Sequence, residues 1–179
     1  MRRDLERVLL TKEEIQSRVA QLRAQLARDY DGKDPVFLGV LKGAVPFFKD
    51  LTSEIPIRCS YDFIYASSYG AGVQSSGQVH LLKDASMELR GRHVVVVEDI
   101  LDTGYTLGFL QKHLLQKKPA SLRFCILLDK PKGRKVAFKA DYVGFTIPNE
   151  FVVGYGLDYN EAYRNLPYVG VLKSEIYSK

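Results

Sequence analysis

The segment HVVVVEDILDTGYT, residues 93 to 106, constrains this chain more than any other. Four consecutive valines are too apolar for a strand with one wet face. Such a run is buried on both faces, as in a parallel sheet covered by helices. It ends in Glu98 and Asp99, with Asp102 three residues further on. Ligands of open parallel α/β sheets bind outside the carboxyl ends of the strands, so these acids stand where a site is expected. Neighbours in a regular strand point to opposite faces. Both acids therefore serve one pocket only if the strand stops there and the chain turns. The stretch DTGYT supplies that turn and the start of a helix. Its backbone amides, with the hydroxyls of Thr103 and Thr106, predict an anion nest at a helix N-terminus, and Gly104 lets the backbone come close to the anion. Carboxylates repel phosphate unless they hold something else. Hydroxyls and a divalent cation such as Mg²⁺ satisfy them while the phosphate sits deeper in the turn, and a ribose phosphate offers all of these. The plain alternative is a capped helix with an acidic first turn. That serves for Asp102 alone but not for Glu98 and Asp99, which precede the helix.

The rest of the chain agrees with an α/β frame. The spacing of Ile15, Val19, Leu22 and Leu26 predicts a helix over about 12–29, opened by a capping box of Thr11 and Glu14. PVFLGVL reads as a buried strand, and GAVPFFKDLTSEI as the helix after it. In IRCSYDFIYA, apolar Ile57, Cys59, Tyr61, Phe63 and Tyr65 alternate with Arg58, Ser60 and Asp62, predicting a half-buried strand with the acid outward. Residues 67–78, SSYGAGVQSSGQ, lack a core pattern and read as a mobile loop. VHLLKD resumes strand character, LGFLQKHLLQ is helical, and SLRFCILLD is another buried strand. Strands alternating with helices predict a doubly wound sheet. The late strands DYVGFTI, FVVGY and YVGVLK, with no helices between them, predict a small antiparallel addition.

Length and composition bound the function. The 179 residues fit one domain. No run approaches the roughly 20 apolar residues of a membrane span, and MRRDLERVLL is too charged for a signal peptide, so the expected location is the cytoplasm. Cys59 and Cys125 lie in apolar runs and read as reduced, packed thiols. His80, His93 and His113 show no zinc spacing. The net charge of +5 suits anionic partners. Its cations are dispersed, however, and no nucleic-acid-binding signature accompanies them.

VVVVEDILDTGYT resembles the PRPP-binding motif of the type I phosphoribosyltransferases. Within that group the chain resembles the hypoxanthine(-guanine) phosphoribosyltransferases over nearly its whole length. LGVLKGAVPFFKDL, ASSYG, LLDKP and VGFTIPNEFVVGYGLDYNEAYRNLPYVGVL follow in the same order, and the last is the more specific. The resemblance implies the type I fold, a mostly parallel twisted sheet with helices on both faces and a small hood of strands. Residues 1–179 would form one domain, with a core over about 30–150, the loop 67–78, and a hood from the N- and C-terminal segments. It implies Mg²⁺-dependent transfer of phosphoribose from PRPP to N9 of a 6-oxopurine, no nucleic acid or membrane partner, and a homodimer or homotetramer.

Roles follow by position. Asp102 matches the general base. Glu98 and Asp99 match the pair holding the ribose hydroxyls and metal-bound PRPP, and Thr103, Gly104, Tyr105 and Thr106 the 5′-phosphate turn. Tyr105 departs from the smaller or basic residue usual there, so its side chain must point away. Lys42 and Gly43 match a pyrophosphate loop with a cis peptide at Leu41–Lys42; alone, LKG reads as a strand exit. Arg164 matches a pyrophosphate contact, suited to a bidentate oxygen pair. Lys130 matches the donor to purine O6, since an ammonium donates and never accepts. Phe151 and Val152 match the purine platform. Asp158 is assigned to that side and, with Glu98 and Asp99, to the metal. Ser68 and Tyr69 match a lid that excludes water. Rival readings are an enzyme preferring xanthine or adenine, and an RNA-binding pyrimidine-operon attenuator of the same fold, which lacks an acid at the position of Asp102.

Overall fold

The computed structural model describes residues 1–68 and 78–178. In chain order the elements are β1 (Leu5–Leu10), α1 (Lys12–Asp29), β2 (Val36–Leu41), α2 (Val45–Thr52), β3 (Ser60–Ser68), β4 (Val79–Lys83), β5 (His93–Leu101) and α3 (Tyr105–Leu115). Then follow β6 (Ser121–Asp129), β7 (Tyr142–Thr146), β8 (Val152–Val153), β9 (Val169–Leu172) and α4 (Ser174–Tyr177). Six strands form the main sheet in the order β4-β3-β2-β5-β6-β7. All its pairings are parallel except β3 with β4. β1, β9 and β8 form a separate antiparallel sheet, which draws its strands from the two ends of the chain.

The valine run is buried on both faces, as its composition requires. Val95 and Val97 pack in a core with Ile15, Val19 and Leu22 of α1 and Phe47 of α2. Val94 and Val96 pack on the other face with Leu107, Leu110 and Leu114 of α3. α1 begins with the expected capping box, Thr11 accepting from the Glu14 amide and Glu14 from the Thr11 amide. Although α1 precedes residue 30, it lies on the main sheet and not in the hood.

Three strand expectations need correction. β7 joins the main sheet beside β6 and is not part of the antiparallel addition; the connection between the two parallel strands carries a short 3-10 turn at Pro131–Gly133. β1 gave no strand signal and is paired by β9 alone. In β3 the buried side chains are Asp62, Ile64 and Ala66, while Tyr61 is half exposed. Asp62 tolerates burial because its carboxylate accepts from the Phe63, Ser86 and Met87 amides at 2.8, 2.7 and 2.8 Å. Ser67 and Ser68, read as the start of a loop, are the last residues of β3. Tyr69 and the loop's glycines lie outside the described residues.

Candidate active site

β2 and β5 pair only as far as Gly39 and Val97. Beyond that point the strands no longer bond, and a cleft of about 550 Å³ opens at the carboxyl end of the sheet. Its walls are the residues after β2, the end of β5 with the turn into α3, and the segment around Asp158–Arg164.

Glu98 and Asp99 both line this cleft, 7% and 8% exposed, but not because the strand stops. β5 continues through Leu101, with Glu98, Ile100 and Leu101 opposite Ile126, Leu128 and Asp129. The alternation changes phase instead. Odd-numbered Val95 and Val97 face the α1/α2 core, whereas beyond the acids even-numbered Ile100 packs there and Leu101 faces α3. Local bonds mark the break: the Asp99 amide donates to Glu98 Oε1 at 3.0 Å and the Ile100 amide to Asp99 Oδ1 at 2.7 Å. Burial, then the Asp99 charge, push the Glu98 carboxyl well above its ordinary range; burial raises Asp99 as well. Among the described residues neither acid has a salt-bridge partner. Asp99 also fixes its neighbour: a Cβ at Gly43 would overlap its carboxylate.

The turn after β5 leads into the N-terminus of α3. Gly104 is the N-cap of α3 with φ +87°, a left-handed conformation that disfavours side chains. The first-turn amides of a helix have no intrahelical acceptor and point outward. Asp102, Thr103, Gly104 and Thr106 line the cleft, and Tyr105, the first residue of α3, lies outside that lining. Asp102 is not the cap. Its carboxylate pairs with Lys130 Nζ at 2.6 Å, and Lys130, 8% exposed, also reaches the Glu150 carbonyl at 3.4 Å.

Sequence reasoning missed the brace that holds this turn. Arg134 donates to the Leu101 carbonyl at 3.0 Å and the Asp102 carbonyl at 2.7 Å, and pairs with Asp129 at the end of β6. The Lys135 and Val136 amides donate to the Thr103 carbonyl. Gly133 leaves room for the Asp102 carboxylate, which a Cβ there would overlap. Nothing in the string PKGRKV signals these bonds, which depend on β6 and β5 ending side by side.

The opposite wall carries the remaining residues. The Leu41–Lys42 peptide is cis. Lys42 pairs with Glu161 at 3.1 Å, and Arg164 with Asp158 at 2.9 Å and Glu161 at 3.2 Å. Arg164 also donates to the Gly156 carbonyl at 2.8 Å. Glu161 was not anticipated. Among the described residues no three acids, histidines or cysteines are grouped to hold a metal. Glu98, Asp99 and Asp158 thus do not form one protein cage. Their hard oxygens suit Mg²⁺ only if a ligand's oxygens complete its octahedron. Phe151 stacks on Tyr177, centroids 4.8 Å apart at 22°, with Tyr159 edge-on at 5.7 Å, while Val152 is buried in β8. Neither Phe151 nor Lys130 lies in the cleft wall itself; the Lys130–Glu150 bond brings them together beside it.

The phosphoribosyl transferase domain model matches residues 9–160. The hypoxanthine-guanine phosphoribosyltransferase of Streptococcus pneumoniae R6 is 50% identical over 175 residues, 98% of this chain and 97% of that protein. A hypoxanthine phosphoribosyltransferase crystal structure from Staphylococcus aureus superposes with a TM-score of 0.94 at 49% identity, covering 100% of this chain and 97% of that one. The Listeria innocua bifunctional protein TilS/HprT is 50% identical over all 179 residues, and there the chain spans 28% of the relative's length. By motif, fold and relatives alike, the chain belongs to the phosphoribosyltransferase family, and within it to the hypoxanthine-guanine phosphoribosyltransferases.

Proposed function

We infer that the chain is a purine-salvage enzyme, transferring the 5-phosphoribosyl group of PRPP to N9 of hypoxanthine or guanine with release of pyrophosphate. The observation that carries this reading is the Lys130–Asp102 pair at the end of the phosphate turn. One donor and one acceptor sit side by side, complementary to the O6 and N7–H edge of a 6-oxopurine. Lys130 binds O6. Asp102 takes the imidazole proton at N7 as N9 attacks C1 of PRPP and the C1–O bonding pair departs with pyrophosphate. Phe151 and Val152 flank the base. Glu98 and Asp99 take the ribose diol. The amides of Thr103 to Thr106 bind the 5′-phosphate. Lys42, Gly43 and Arg164 hold the pyrophosphate. Mg²⁺, when bound, offsets the charge of the leaving pyrophosphate, with Glu98, Asp99 and Asp158 as the carboxylates facing it. Ser68 and Tyr69 act as a lid against water.

No helix among the described residues is long and apolar enough to cross a membrane, in keeping with a cytoplasmic enzyme. Half-exposed Val45, Tyr61 and Leu82 are compatible with a homodimer or homotetramer. Asp102 and Lys130 together argue against an RNA attenuator. The decisive experiment is steady-state turnover of hypoxanthine, guanine, xanthine and adenine with PRPP and Mg²⁺. IMP and GMP should form, and adenine, with no O6, should fall about 10⁴-fold in kcat/KM. Efficient AMP formation, or RNA binding without turnover, would reject the assignment.

A further inference from the structure

Glu161 has no part in the chemistry above, yet it occupies the centre of the pyrophosphate wall. One oxygen of its carboxylate, Oε2, lies 3.1 Å from Lys42 Nζ. The other, Oε1, lies 3.2 Å from Arg164 Nη2. The two cations come from distant parts of the chain, Lys42 from the turn after β2 and Arg164 from the segment after β8. Both line the cleft, as does Glu161. A single carboxylate bridging two cations, one oxygen to each, copies how a phosphate group would engage them. The Glu161 side chain is 66% exposed, so these pairs are weak and easily exchanged for a more highly charged ligand. Asp158 differs: it is 28% exposed, accepts the Glu161 amide at 2.8 Å, and remains anchored in its turn.

We propose that Glu161 is an intramolecular stand-in for pyrophosphate, holding Lys42 and Arg164 in the empty enzyme and competing with the phosphate groups for them. The proposal rests on the phosphoribosyltransferase reading and adds a residue that sets how tightly pyrophosphate is held. A carboxylate that must be displaced weakens binding of PRPP and speeds loss of the product. Removing its charge frees Lys42 and leaves Arg164 with Asp158 as its one carboxylate partner, so pyrophosphate should bind more tightly, the reverse of what loss of a ligand-binding residue would cause.

The test is calorimetric titration of inorganic pyrophosphate, in Mg²⁺ buffer, into wild type and Glu161→Gln. Each variant is also assayed for IMP formation. Glu161→Gln should bind pyrophosphate about three- to tenfold more tightly, the range that one or two exposed ion pairs can supply. The gain should largely vanish in the Lys42→Met background, because the stand-in then has lost one of its two cations. An equal gain in both backgrounds would show only a general charge effect and would overturn the proposal, as would unchanged or weaker binding in Glu161→Gln. A wild-type protein that forms no IMP and binds no pyrophosphate would instead reject the function on which this rests.

Discussion

At the scale of single residues, Asp102 shows how much surrounding structure a site side chain needs. Its carbonyl is held by Arg134, its carboxylate by Lys130, and the space beside it exists because residue 133 is glycine. Asp102→Asn keeps the shape but removes the proton acceptor. Turnover should fall roughly 10²- to 10⁴-fold, while the KM for PRPP changes little, because the phosphate turn is untouched. Near-normal turnover in a steady-state assay would remove the base role. That Glu98, Asp99 and Asp102 would line one cleft was legible in the sequence, because acids rarely follow a buried strand without cause. The partners were not. Arg134 and Glu161 sit in strings that read as surface loop, and their roles come from distant elements meeting.

At the scale of elements, α1 was readable from its helical spacing and capping box, and β5 and β6 from their continuous apolar runs. β3 misled because a carboxylate, Asp62, sits on its buried side. Burial opposes charging Asp62, but the Met87, Phe63 and Ser86 amides and nearby Lys83 outweigh it and hold the carboxyl below its ordinary range. The ionised form therefore stabilises the fold. That contribution is complete above the ordinary value of 3.8, and is lost as the pH falls through the lowered folded value. Asp62→Ala, which strands three amides, should cost about 1–3 kcal/mol at neutral pH. Urea melts of both proteins should show the gap narrowing only on the acid side. A gap that widened in acid would contradict this account of the clamp.

Across the whole molecule the chain builds two cores on the main sheet and a third in the hood, where Leu5, Val153, Tyr163, Leu166 and Leu172 cluster with Phe151 and Tyr177 at their edge. The general architecture followed from alternating strands and helices. The antiparallel addition followed in part, since FVVGY and YVGVLK supply β8 and β9, which pair antiparallel; β1 did not, because Leu5 alone of its six residues is buried. Leu5→Ala should cost about 2–4 kcal/mol by emptying the hood core. Because Phe151 packs at its edge, the KM for hypoxanthine should rise more than that for PRPP. Equal rises in both, measured under conditions where the variant remains folded, would mean that the hood does not belong to the base side alone.

The brace of Arg134 reaches further than one turn. It clamps the end of β6, one residue before Lys130, onto the Leu101 and Asp102 carbonyls just before the turn into α3. On the proposed assignment, the seat for the base and the seat for the phosphate are in this way riveted into one piece, like the fixed jaws of a gauge. A nucleotide is measured by its length as well as by its chemistry, and a molecule with the right two ends at the wrong separation cannot occupy both.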